Sequence, residues 1–159
     1  MNTTDTLKIT GAPGTQNIEM TREFNATREQ LLAAHTDPDL YAQWVGPDDY
    51  EMTINQFEPH HGGGYSFTHR NPEGNEFSFR GVFHGDPTVE GFSQTFEYLG
   101  TPGDVFFERF WFEDLGNGRT LLRGVSTAGS EEARDAMMEA MVDGVVDGYA
   151  KLDALLESL

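Results

Sequence analysis

The chain has 159 residues, enough for one domain with its own core, and its 27 acidic residues against 10 basic ones leave a formal charge of -17. Lys8 and Lys151 are the only lysines and no basic run exists, which excludes nucleic acid and anionic membrane as partners and makes the acidic surface a solubility device or an adaptation to salt. The absence of cysteine rules out disulfides, thiolate metal sites and cysteine nucleophiles and favours a cytoplasmic location, and no apolar stretch reaches the length of a bilayer span.

Residues 1–16 are polar and contain Gly11, Pro13 and Gly14, so a flexible leader is predicted, within which Leu7 and Ile9 offer a short edge strand. Met1 to Thr10 lack the basic start and apolar run of a secretory signal. A single folded domain is expected over residues 17–159. It opens with a strand, Asn17 to Phe24. Thr27 and Gln30 then form a capping-box pattern for one short helix, and Asp37 followed by Pro38 starts a second.

From Tyr50 to Thr127 short aromatic-rich runs alternate with turn residues, the pattern of an antiparallel meander. Strands are predicted at Tyr50 to Phe57, Tyr65 to Arg70, Phe77 to Gly85, Phe92 to Leu99, Val105 to Glu113 and Arg119 to Thr127. Turns fall at Gly62 to Gly64, Asn71 to Gly74, Asp86-Pro87, Thr101 to Asp104 and Gly116 to Gly118. Ser130 caps a last helix that runs to the C-terminus, with Glu131 and Glu132 against its positive end. Met138, Met141, Val142, Val145, Tyr149, Leu152, Leu156 and Leu159 recur at helical spacing and give it one broad apolar stripe.

These elements and several local motifs together resemble a known family, the activator-of-Hsp90-ATPase-like branch of the START/Bet v 1-like (SRPBCC) superfamily. The resemblance spans roughly residues 17–159. It rests on Thr21-Arg22-Glu23-Phe24, Thr36-Asp37-Pro38 leading to Trp44-Val45-Gly46-Pro47, the Gly-Gly of Gly62 to Gly64, Pro72 to Phe77, Gly81-Val82-Phe83 and Gly148 to Asp153. It implies an α+β helix-grip fold: a curved antiparallel sheet around a long C-terminal helix, with two short helices after the first strand. Members often carry paired tryptophans before the Gly-Pro, where this chain has Trp44-Val45, and their proline-rich turn before the fifth strand here reads Asp86 to Glu90. The family name suggests a stress-response role beside an Hsp90-type chaperone. The co-chaperone behind that name, however, relies on an additional N-terminal domain that the short leader is not expected to replace.

Side chains two apart on a strand share a face, so the meander sorts into two surfaces. One carries Tyr65, Phe67 and His69; Phe77, Phe79 and Phe83; Phe92, Gln94, Phe96 and Tyr98; Phe106, Glu108, Phe110 and Phe112. This face is expected to be concave and to meet the last helix. His69, Gln94 and Glu108 interrupt its apolar rows, and burying them without partners is costly. They either converge on a ligand, bond one another, or turn out to the rim. The candidate ligand-binding set is Trp44, Phe67, His69, Phe79, Phe83, Gln94, Phe96, Tyr98, Glu108, Phe110, Met141, Val145 and Tyr149. Glu108 is the one candidate acid or base, set against a paired structural role.

No metal and no cofactor are expected. His60 and His61 are adjacent and point apart in an extended chain, and no helix bears a histidine pair. His35 reads as a surface or packing histidine. The glycines at 62–64 precede a strand, not a helix, so no phosphate loop is formed, and no serine sits in a nucleophile elbow. Gly144 and Gly148 weaken the last helix, by about 1 kcal/mol each relative to alanine; either the helix approaches the sheet closely there, or the missing side chains leave room for a ligand. Met137, Met138 and Met141 would make an adaptable wall nearby. The opposite face carries Arg80, His84, Val105, Phe107, Arg109 and Trp111, which pack on the leader or form a homodimer contact. Three functions remain open: binding of a hydrophobic or amphipathic small molecule, a cavity enzyme of the polyketide cyclase or lyase type, and an Hsp90-associated protein.

Overall fold

The computed structural model describes residues 6–159. Eight antiparallel strands form one sheet in the order β1-β2-β8-β7-β6-β5-β4-β3: β1 Lys8–Thr10, β2 Asn17–Phe24, β3 Glu51–Phe57, β4 Gly64–Arg70, β5 Glu76–Thr88, β6 Gly91–Tyr98, β7 Val105–Gly116 and β8 Arg119–Thr127. Helices α1, Arg28–Thr36, and α2, Pro38–Trp44, carry the chain from β2 to the far edge at β3, and α3, Glu131–Glu157, follows β8. This is the α+β helix-grip arrangement. No helix among the described residues is long and apolar enough to cross a membrane.

The short helices start as their capping residues dictate. Thr27 accepts from the Gln30 amide while the Gln30 side chain accepts from the Thr27 amide, and Asp37 accepts from the Asp39 amide ahead of Pro38 at the first turn. Alternation along the strands buries one face: in β2 it turns Ile18, Met20, Arg22 and Phe24 inward, and in β4 Tyr65, Phe67 and His69. One strand differs from expectation. Asp86-Pro87 is not the turn; β5 continues to Thr88, which pairs with Gly91, and the proline falls in the register irregularity between His84 and Thr88, where no ladder donor is needed.

Within the predicted leader, the short edge strand offered by Leu7 and Ile9 forms as β1. Residues 1–5 lie outside the described residues, but β1 pairs with β2, and the buried Arg134 donates to the Ala12 carbonyl at 3.2 Å and the Asn17 carbonyl at 2.9 Å. Leu7 and Ile9 pack against the main core, not against the convex face. There Val82, Leu99, Val105 and Phe107 are exposed, and the guanidinium groups of Arg109 and Arg123 lie over the Trp111 ring at 5.3 and 5.1 Å.

Helix α3 is about 40 Å long at the standard rise, and its two halves do different work. Tyr149, Leu152 and Leu156 are buried against the sheet and α1, whereas Leu159 lies beyond the helix and is exposed. The N-terminal half holds Met137, Met141 and Val145 over the concave face. Its glycines meet the loop after α2 rather than the sheet: a Cβ at Gly148 would lie 3.0 Å from the Trp44 carbonyl oxygen and 3.4 Å from the Gly46 nitrogen, one at Gly144 3.5 Å from Pro47. Lys151 Nζ donates to the Pro47 carbonyl at 3.3 Å, and the Asp48 amide to Asp147 at 3.0 Å, fastening the same loop.

These distances predict opposite outcomes for two similar substitutions. Gly144→Ala meets only ordinary contacts and should stabilise the chain by up to about 1 kcal/mol through helix propensity. Gly148→Ala should lose that gain to its crowding against Trp44 and Gly46. Urea unfolding of both variants measures the difference.

Candidate functional site

Between the concave face and the N-terminal half of α3 lies a cavity of about 530 Å³. Its floor follows from strand register. Gln94 of β6 is directly opposite Glu108 of β7, which is opposite Ser126 of β8, so the three side chains form one row across the sheet. Gln94 Nε2 donates to Glu108 Oε1 at 2.9 Å and Ser126 Oγ to Oε2 at 2.6 Å. Aromatic rows bracket this polar one: Phe92 stacks on Phe110 at 5.0 Å on one side, and Phe96 pairs with Phe106 on the other. Burial pushes the Glu108 carboxyl above its ordinary value, and the bonds from Ser126 and Gln94 pull it partly back.

The walls come from the helices and the outer strands. Trp44 donates its indole N–H to the Ala34 carbonyl at 2.9 Å and stacks on Tyr149 at 5.8 Å. Tyr41, one helical turn before Trp44, packs on Phe67 and on Phe57. Burial raises the phenol pKa of Tyr41 and of Tyr149, and the negative charge of Glu108 raises both further. Phe79 lies in a run of stacked rings with Phe67 and Phe96, each 5.1 to 5.4 Å away.

The candidates named from the sequence line this cavity, with one exception. Phe83 sits further along β5, buried among Phe57, Tyr65 and Phe92, and belongs to the core. His69 shares the cavity but not the polar row. Its ring packs on Phe67 and Phe79 and lies beneath Gly46, whose φ of +101° and lack of a side chain allow the approach; a Cβ there would be 2.5 Å from His69 Cε1. Burial takes the imidazole down to about 4, with the Val45 backbone opposing and Lys151 reinforcing, and Nε2 is buried without a hydrogen-bond partner among the described residues. Of the alternatives for the three polar groups, mutual bonding holds for Gln94 and Glu108, joined by Ser126, while His69 lines the same cavity without bonding to them.

Of the lining residues outside the candidate set, three bear on how the site could have been found. Tyr41 could have been found, being three residues before Trp44 on one helix. Ser126 depended on register. His35, read as a surface or packing histidine, is a packing one that also reaches the cavity: its Nδ1–H donates to the Leu31 carbonyl at 2.7 Å, and its ring touches Trp44, Phe92 and Phe112. Among the described residues no group of three or more His, Asp or Glu side chains is arranged to hold a metal ion.

An aromatic cavity gripped between a bent sheet and its last helix, with one polar row on its floor, defines the class: a START-like helix-grip protein. Residues 25–157 match the family model of Activator of Hsp90 ATPase homolog 1-like proteins, and the chain belongs to that family. A crystal structure from Rhodobacter sphaeroides is 30% identical, covers 96% of this chain and 99% of its own, and superposes with a TM-score of 0.86. The fold is shared with a solution structure from Arthrobacter aurescens (22% identity, 97% and 93% coverage, TM-score 0.86) and with the AHSA1 protein from Silicibacter pomeroyi (20%, 89% and 97%, 0.72). No curated protein matches the chain.

The buried histidines predict an acid-sensitive fold. His35 is held at about 4 by burial, with its bond to Leu31 opposing, against 6.5 in the unfolded chain, so the folded state binds fewer protons between those values. Stability present above pH 6.5 should be lost as the pH falls toward 4, with His35 alone contributing a loss on the order of 3 kcal/mol. His69 adds a loss of the same sign; Glu108, shifted upward, acts in the opposite sense. Denaturation midpoints across this pH range should fall less steeply in His35→Phe than in the parent.

Proposed function

We propose that the protein binds a hydrophobic or amphipathic small molecule in the cavity between the sheet and α3. The observation that carries this reading is the cavity itself: about 530 Å³, walled by aromatic rings, with a single hydrogen-bonded polar row on its floor. Small-molecule sites have this size and composition, mostly apolar with a few placed polar groups. Protein interiors otherwise close to crystal density, and a void of this size lowers stability unless something fills it.

Organic extraction of the purified protein followed by mass spectrometry should recover a bound apolar or amphipathic molecule. Val145 lines the cavity from α3, and Val145→Trp should lower affinity for such a molecule, or for a neutral solvatochromic dye, by about tenfold or more, by placing ring volume in the cavity. Empty protein, together with dye affinity unchanged in the variant, would remove the reading.

A second reading, a cavity enzyme, is favoured by one observation: Glu108 is a buried carboxyl with a raised pKa at the cavity floor, the condition under which a carboxyl serves as acid or base near neutral pH. Glu108→Gln separates the two. Lost turnover with retained affinity is the signature of catalysis.

A further inference from the structure

Glu108 is buried, and each of its oxygens accepts from a neutral group, the Gln94 amide and the Ser126 hydroxyl. No cation bonds to it among the described residues. Where positive charge reaches the cavity walls, it is tied elsewhere: Arg22, bidentate on Asp153 at 2.7 Å, acts on Tyr149, and Lys151, bound to the Pro47 carbonyl, acts on His69. A buried carboxylate without a countercharge is costly, because desolvation is not repaid by a partner. A ligand that brings the positive charge with it repays that cost on binding.

The rest of the lining points the same way. The other titratable groups there are His35 from α1, Tyr41 from α2, Tyr50 from the loop before β3, His69 from β4, Tyr98 from β6 and Tyr149 from α3. Both histidines are held at about 4 by burial and stay neutral, and tyrosines carry no positive charge in any state. Glu108 is thus the one carboxyl among the described lining residues, which include no aspartate, lysine or arginine. Around it lie the rings of Phe92, Phe96, Phe106 and Phe110, and an aromatic face attracts a cation and not an anion. The chain's charge of -17 raises the local concentration of cations outside.

We propose that the ligand is a cationic amphiphile, an apolar body bearing a protonated amine, whose ammonium lies at Glu108 between the aromatic rows and whose apolar part fills the remaining cavity toward α3. This rests on the cavity being a ligand site and adds the chemistry of its polar end.

Dodecylamine, dodecan-1-ol and dodecanoate share one chain and differ only in the head, and each is to be competed against Nile red below its micelle or solubility limit. Near neutral pH the amine should compete at a concentration about tenfold or more below the alcohol's, and dodecanoate least well of the three. In Glu108→Gln the advantage of the amine over the alcohol should vanish. That variant alters one charge among many, so attraction to the acidic surface is left in place and is controlled for. A second measurement uses the unaltered protein, so the test survives a variant that fails to fold. The amine's advantage over the alcohol should shrink as the pH is lowered and Glu108 takes up its proton. Equal competition by amine and alcohol, or an advantage that persists in Glu108→Gln, overturns the cationic assignment and leaves the cavity reading standing. Failure of Nile red and all three probes to bind overturns both.

Discussion

Arg22 is an arginine in an apolar row, only 1% exposed, with Ile18, Met20 and Phe24 on the same face of β2. It is tolerable there because Asp153 of α3 meets it with both oxygens at 2.7 Å and because its guanidinium lies over the rings of Phe24 and Tyr149 at 4.5 and 5.7 Å. This clasp joins the second strand to the C-terminal half of the last helix. Tyr149 beside it is edge-on to Phe24 and stacked on Trp44, so β2, α2 and α3 meet at one point. Because the helix is secured at this end, its other half can stand over the sheet without sinking into it, and the cavity is the space that remains.

The polar row on the floor is best understood through cost. Gln94, Glu108 and Ser126 satisfy one another, which removes most of the penalty of placing them among phenylalanines. It does not remove the penalty of the charge, since both donors are neutral. An aliphatic row at these three positions would pack at no such cost, and the fold would be the more stable for it. Departures of this kind from the most stable packing are expected at functional or strained sites, and here the row faces the cavity beneath α3.

How much of this was readable follows from what each signal encodes. Alternation along a strand encodes a face, and a face was all it delivered: Phe67, Phe79, Phe96 and Phe110 were placed on the concave side on parity alone. Height along the strand is a different quantity. Phe83 shares parity with Phe79, yet the length of β5 carries it away from the cavity and into the core near Tyr65. The apolar stripe of α3 was equally legible and equally mute about its partners, because the same spacing serves Tyr149 and Leu152 packed on the core and Met141 and Val145 over the cavity. The glycines signalled a close approach, but nothing in a helical pattern says whether a sheet or a loop is approached; the carbonyl of Trp44 and the turn at Gly46 are what lie there.

Ser126 shows the limit most clearly. The tight hairpin between β7 and β8 pairs Gly116 with Arg119, and continuing that register down the ladder would set Glu108 opposite Thr127. One irregularity, between Asp114 and Gly116, shifts the pairing by a residue, so that Asp114 meets Thr120 and Glu108 meets Ser126. A slip of one residue exchanges the faces of a whole strand. Without the bulge, Arg123 and Leu121 would turn inward in place of Leu122 and Thr120, both of which are fully buried, and Glu108 would lose the hydroxyl that holds its second oxygen. The hydroxyl at the cavity floor, the inward face of β8 and, through its pairing with β8, the inward face of β2 that carries Arg22 all depend on that single extra residue in a surface hairpin.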